Sequence, residues 1–149
     1  MIVVRFLVFG DIHDCVDRII CLFEVAQDII SDIDAVLITG DFGEKNETLG
    51  TISQILSSNG LMGISTYGNH EPEIIRRLSK KTSTCLVDGI KLLPLGVRYR
   101  VNNVSVLSIA GNRGSGRKWS HWRDHQIFEI IEKYKEENCL LYTSDAADD

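Results

Sequence analysis

No stretch of this 149-residue chain is apolar for the roughly 20 residues that a bilayer-spanning helix needs, because Arg5, Asp11 and Asp14 interrupt the opening apolar run. No membrane span is expected. The four cysteines, Cys15, Cys21, Cys85 and Cys139, follow no C-x-x-C or metal-knuckle spacing, and the opening residues do not read as a secretory leader. Reduced thiols and a cytoplasmic setting are the expectation. An excess of positive charge is also lacking. With 16 Lys and Arg against 21 Asp and Glu, the formal charge is −5, and no overall field gathers nucleic acid or an anionic membrane. The Gly-x-Gly-x-x-Gly turn of a dinucleotide site and the Gly-Lys-Ser/Thr phosphate loop are both missing, which argues against the commonest nucleotide-binding modules. What the length does allow is one domain, burying roughly 68 to 70% of the surface its unfolded chain exposes.

The apolar pattern alternates strand with helix. Residues 2–9 form an almost unbroken apolar run ending at Gly10-Asp11, as expected of a central strand covered on both faces. Val16, Ile19, Ile20, Phe23, Ala26, Ile29 and Ile30 then recur at helical spacing over residues 15–30. A second short run, 34–39, ends at Gly40-Asp41. Residues 48–58 read as a second helix with Asn59-Gly60 as its stop. A third run, 61–67, ends at Gly68-Asn69-His70-Glu71, and Pro72 suits the first turn of a helix reaching about residue 80. Right-handed crossovers between parallel neighbours bring the three strand ends to one edge of a sheet. Beyond residue 80 shorter strands follow at 84–87, 90–93, 96–101 and 104–110, the last two joined by Asn102-Asn103, a pair suited to a tight hairpin turn. This hairpin is expected to belong to a second, incomplete sheet. A glycine-rich basic loop spans 111–120, and residues 126–137 read as a surface helix with Ile127, Ile130, Ile131 and Tyr134 inward.

The last eleven residues, 139–149, resemble the in-frame translation of a transposase adapter used in preparing sequencing libraries. The expected organisation is therefore one domain over 1–138 followed by a non-native tail with few core contacts. Without Asp145, Asp148 and Asp149 the acidic excess shrinks, so net charge says still less about partners.

Chemistry concentrates at the strand ends. Asp11 and His13, one residue apart in a loop just past a strand, place a carboxylate oxygen and an imidazole nitrogen where both can bend toward one cation. Asp41 adds a carboxylate whose two oxygens can bridge a cation pair, and Asn69 adds a neutral carbonyl oxygen. An Asp at a strand end also occurs in folds that bind no metal, so the weight rests on the combination. Mixed nitrogen and oxygen donors suit Mn, Fe, Zn or Ni better than an all-oxygen cage for Ca or Mg. His70 follows a candidate ligand; a histidine there can exchange a proton with phosphate or close the loop through a backbone hydrogen bond. Glu71 reads as a helix-start or orienting residue.

Gly-Asp-Ile-His at 10–13, Gly-Asp at 40–41 and Gly-Asn-His-Glu at 68–71, in this order, resemble the calcineurin-like metallophosphoesterases, a resemblance that covers most of 1–138. It implies an α/β sandwich of that family's type and hydrolysis of phosphate esters with two divalent metal ions. It further implies Asp11, His13 and Asp41 as ligands of one ion, Asp41 and Asn69 of the other, and His70 as the residue assisting the reacting or leaving oxygen. A small phosphate-containing substrate is expected, with nucleic acid disfavoured. Arg113 and Arg117, in the glycine-spaced loop, are candidate substrate contacts or simply exposed basic residues, and Trp119 and Trp122 either flank a nucleobase or anchor the loop.

Departures narrow this resemblance. Asp14 stands where the family's protein serine/threonine phosphatases carry glycine, and Phe42-Gly43-Glu44-Lys45 replaces their valine-aspartate-arginine-glycine run, so a small stand-alone phosphoesterase fits better. The later strand-end histidine and the Gly-His-x-His element that the family requires have no match after His70; His121 and His125 read as polar residues at a helix start. The expectation is a carboxyl-terminally truncated domain with impaired activity. A nuclease of the same superfamily and a non-catalytic nucleotide- or metal-binding module are the alternatives.

Overall fold

A computed structural model describes residues 3–114, 118–135 and 139–143, the last five by their backbone alone. Its larger sheet holds β1 (Phe6–Phe9), β2 (Ala35–Ile38), β3 (Gly63–Ser65), β4 (Cys85–Val87) and β5 (Ile90–Leu92), in the spatial order β1-β2-β3-β5-β4. The first three strands and β5 run parallel, whereas β4 closes the edge as an antiparallel hairpin with β5. Asp88 and Gly89, both at positive φ, make that hairpin's two-residue turn, the conformation a tight hairpin demands. A second sheet is built from β6 (Arg98–Val101) and β7 (Val104–Ile109), turning at Asn102 with φ 52°, and from β10 (Cys139–Thr143), which lies parallel to β7. Two short strands, β8 (Asn112–Arg113) and β9 (His121–Trp122), pair in parallel beside it.

The period-two alternation of β2 divides the interior. Val36 and Ile38 join Ile19 and Phe23 of α1 (Val16–Val25), Leu49, Ile52 and Leu56 of α2 (Asn46–Ser58) and Ile75 of α3 (Glu73–Leu78) in one core. Ala35 and Leu37 point the other way and meet Ile64, Leu93, Val101 and Val106 in a second core between the sheets. The result is an α/β sandwich. With Leu37 only 1% exposed, truncating it to Ala removes about 2 to 5 kcal/mol of stability. Between the sheets, Thr66 Oγ1 and Ser108 Oγ lie 2.7 Å apart, and Ser108 Oγ donates to the Leu93 carbonyl at 2.8 Å. These pairs satisfy two hydroxyls that would otherwise be costly to bury. On the outer side of the second sheet α4 (Asp124–Tyr134) rests Ile130 against Gly96 and Tyr134 near Arg98.

Several expectations need correction. β1 lies at the edge of its sheet, not at its centre, and Val8 is 54% exposed. An apolar run signals burial on both faces only when strands flank it on both sides, and among the described residues only β2 pairs with β1. Ile20, Ile29 and Ile131 face outward: α1 buries Ile19 and Phe23 and turns Ile20 away, it ends at Val25 before Ile29, and α4 uses a narrower face than the full apolar stripe. His121 belongs to β9, not to a helix start. Over residues 139–143 the backbone forms a five-residue ladder with β7, where a loose tail was expected. Backbone pairing is open to any extended segment beside a free strand edge, so this ladder carries no information about the segment's origin.

Candidate functional site

Because β1, β2 and β3 are parallel and adjacent, the loops leaving their carboxyl ends stack side by side. The Ile12 and His13 N–H groups donate to the Asp41 carbonyl at 2.8 and 3.0 Å, the Asp14 N–H donates to the Phe42 carbonyl at 2.9 Å, and the Gly43 N–H donates to the His70 carbonyl at 2.9 Å. Asp11, His13, Asp14 and Asp41 all hold positive φ, between 44° and 60°. Non-glycine residues rarely adopt this region, and a cluster of them points to a functional loop held in shape by its surroundings. Gly40, with φ 93°, lies where an added Cβ would run into the backbone of Tyr67 and Gly68, so only glycine lets the second and third loops touch.

Two carboxylates clasp those loops from opposite sides. Glu71, wholly buried, accepts from the N–H groups of Asp41 at 2.7 Å and Gly68 at 2.6 Å through one oxygen, and from Phe42 at 3.2 Å through the other. Asp41 Oδ1 accepts in return from the N–H groups of Asn69 and His70, both at 3.0 Å. Burial pushes the Glu71 carboxyl up to about 8, against the pull of its three N–H donors and with some help from the Asp41 charge. Glu71 is thus an orienting residue and not a helix start: α3 begins two positions later, behind Pro72. The Arg76 guanidinium donates to the Glu71 carbonyl at 2.8 Å and reaches Glu44 at 3.4 Å, fastening α3 to the same loops.

At the mouth of this assembly Asp11 Oδ1 and His13 Nε2 lie 2.7 Å apart, with side chains 81% and 43% exposed, and the His13 and His70 rings are 5.0 Å apart between centroids. The backbone of His70 closes the loop, leaving its ring beside that of His13. Among the described residues no three His, Cys, Asp or Glu side chains already surround one point as an ion cage. Asp11 and His13 bond each other, and Asp41 Oδ1 is occupied by backbone donors. The fit to a divalent cation lies in donor kind and neighbourhood. A carboxylate and an imidazole within hydrogen-bond distance of each other offer a cation the same two donor atoms, and Asp41 retains lone-pair capacity beyond the two N–H bonds it accepts.

Other residues take less expected places. Asp14 turns inward, accepting from the Thr48 hydroxyl and from the Glu44 and Lys45 N–H groups at 3.3 Å, and so caps the start of α2. Burial raises its carboxyl, but the Thr48 bond, the two N–H groups and the Lys45 charge together hold it below its ordinary value. Arg113 is engaged by Asp124 at 2.7 Å, in an exposed ion pair. Arg117 lies outside the described residues. Trp119 packs against Tyr67, with ring centroids 5.6 Å apart, and under the Arg76 guanidinium, which accounts for it as a loop anchor. Sequence reasoning missed Asn112, whose Nδ2 donates to Asn69 Oδ1 at 3.0 Å. No spacing rule links residues 43 positions apart, and only the position of Asn112 just past the β7 strand end hinted at it.

A family model described as calcineurin-like phosphoesterase matches residues 4–147. No curated protein and no solved structure gives a significant match. No helix among the described residues is long and apolar enough to cross a membrane. With a match over nearly its whole length, on a mixed α/β sandwich whose parallel strands deliver the three motifs to one edge, this chain belongs to the calcineurin-like phosphoesterases.

Proposed function

We propose that the chain hydrolyses small phosphate esters with two divalent cations of the Mn, Fe, Zn or Ni kind, held by Asp11, His13, Asp41 and Asn69. The observation that carries this reading is the meeting of three parallel strand ends, tied to one another by the Asp41 and Glu71 carboxylates. Bound there, the cations supply positive charge against the phosphate oxygens and a water acidic enough to serve as nucleophile near neutral pH. The chain's own work is to keep the four donors in place and to set the His70 ring beside them, where a ring nitrogen can pass a proton to the departing oxygen. Arg76 and Arg113 are both held by carboxylates, which favours a small substrate over a nucleic-acid track. Four protein donors leave most coordination positions of two cations to water, so we propose weak metal binding and low turnover.

Chelator-stripped protein is titrated with Mn²⁺, the free ion followed by electron paramagnetic resonance, and then assayed on an aryl phosphate and an aryl phosphodiester. Binding should fall on Asp11→Ala and Asn69→Ala. Turnover should depend on added metal, and His70→Ala should lower it about 10²- to 10⁴-fold with Mn²⁺ binding retained. Metal binding that survives both ligand substitutions, or hydrolysis indifferent to chelator, rules the reading out.

A further inference from the structure

We propose that Asn112 is a positioning residue that sets which end of the Asn69 amide faces the cations; this rests on the reading of Asn69 as a metal ligand. An asparagine amide is nearly symmetric in shape but not in chemistry. Turned by half a rotation, it replaces a carbonyl oxygen with an NH₂ group that repels a cation. Something must therefore select the oxygen-forward orientation. The Asn69 backbone is fixed by its N–H bond to Asp41 Oδ1 at 3.0 Å, but that bond does not constrain the far end of the side chain. The constraint there comes from Asn112 Nδ2, which donates to Asn69 Oδ1 at 3.0 Å. A flipped Asn69 would present donors to that donor, and the bond could re-form only if the Asn112 amide turned as well. The bond uses one of the two lone pairs of the amide oxygen, and the second stays available to a cation.

The Asn112 backbone is held on both sides, which fixes where its side chain sets out toward Asn69. The Gly111 N–H donates to the Tyr67 carbonyl at 2.6 Å, just past β3, and the Asn112 N–H donates to the Ser120 carbonyl at 2.8 Å. Gly111 has φ 80°, and an added Cβ there would strike the Ser120 carbonyl, so the close approach of the three segments is specific to glycine. The β8–β9 ladder, with Asn112 opposite His121, keeps the side chain on its face. The β8–β9 pair thereby reaches into a site whose other parts all come from the larger sheet.

The test is a double-substitution cycle read by Mn²⁺ affinity, independent of turnover. Asn112→Leu removes the donor at similar volume and without charge, and it should weaken Mn²⁺ binding about 10-fold or more, as loss of an outer partner of a metal ligand does. In an Asn69→Asp background the ligand shows oxygen whichever way it turns, so Asn112→Leu should then cost nearly nothing. A residue that merely supports the fold would cost the same in both backgrounds, and that result overturns the proposal. Thermal melting checks each variant; should Asn112→Leu not fold, Asn112→Ser, too short to reach Asn69, serves in the same cycle. Unchanged affinity in Asn112→Leu while Asn69→Leu still weakens binding overturns this inference alone. Unchanged affinity in Asn69→Leu overturns the ligand reading and the inference with it.

Discussion

Replacing Glu71 with Gln tests how the site is clasped. At pH 5 to 6 in chelator, the buried Glu71 carboxyl is neutral, because burial lifts it from 4.5 to about 8. One oxygen takes the Asp41 and Gly68 N–H groups, and the other takes Phe42 at 3.2 Å. Gln preserves the first oxygen but turns an NH₂ toward the Phe42 N–H, placing donor against donor. That should cost about 1 to 3 kcal/mol. For a chain of this size each kcal/mol moves Tm by about 2 to 4 °C. The pH dependence fixes the sign. A carboxyl whose folded value lies above its unfolded value binds more protons when folded, so its contribution is complete below pH 4.5 and is lost as pH rises through 8. Gln does not titrate. The parent's lead over Glu71→Gln should therefore be largest at about pH 4.5 and below, shrink as pH rises, reverse before pH 8 and flatten above it, because a rise from 4.5 to about 8 is worth roughly 5 kcal/mol, more than the loss of about 1 to 3 kcal/mol expected for Gln. Differential scanning calorimetry in EDTA at half-unit pH steps measures this. A parent lead that grows with pH would mean that the three N–H donors hold an anion, and the account of Glu71 as a neutral clasp would be wrong.

Two further substitutions probe the loops. Asp14→Ala removes the acceptor for Thr48, Glu44 and Lys45 and also leaves a Cβ at φ 60°, so it should cost about 1 to 2 kcal/mol in urea unfolding. Asp14→Gly, suited to that φ, should cost less; because the Asp14 carboxyl is held below its ordinary value, both gaps should close as pH falls through and below 3.8. Gaps unaffected by acid contradict the capping role, and equal losses for Ala and Gly would show that the positive φ at residue 14 stores no strain. Gly40→Ala forces a Cβ into the backbone of Tyr67 and Gly68 at φ 93°. It should lower Mn²⁺ affinity more than Gly50→Ala, where nothing stands within 4 Å of the added atom. Matching affinities in the two variants would show that close nesting of the loops is unnecessary for binding.

Asp11, Asp41 and Asn69 were legible because each sits at the end of an apolar run, and alternation of strand and helix forces such ends to one edge. The hairpin at Asn102 was legible for a similar reason: its signal is local and stereochemical. What failed were inferences from one element about its neighbours. Whether β1 is central depends on which segments lie beside it, and the side-chain pattern of a four-residue strand does not record this.

The site itself divides along the same line. The residues proposed to carry the chemistry, such as Asp11 and His13, are recognisable because ligation of a cation would restrict residue type and spacing. Residues that make the chemistry possible are constrained by geometry alone. Glu71 matters through N–H groups of residues 29 and 30 positions away, and any sequence position that delivered two oxygens to that point would serve. Asn112 depends on a backbone junction between β3, β7 and β9 that exists only once both sheets have packed. Asp14 is the intermediate case. Its departure from glycine was visible as an anomaly, but its cause, a cap on a helix about 30 positions later, required the fold. The residues that support this site are therefore a product of the sandwich as a whole.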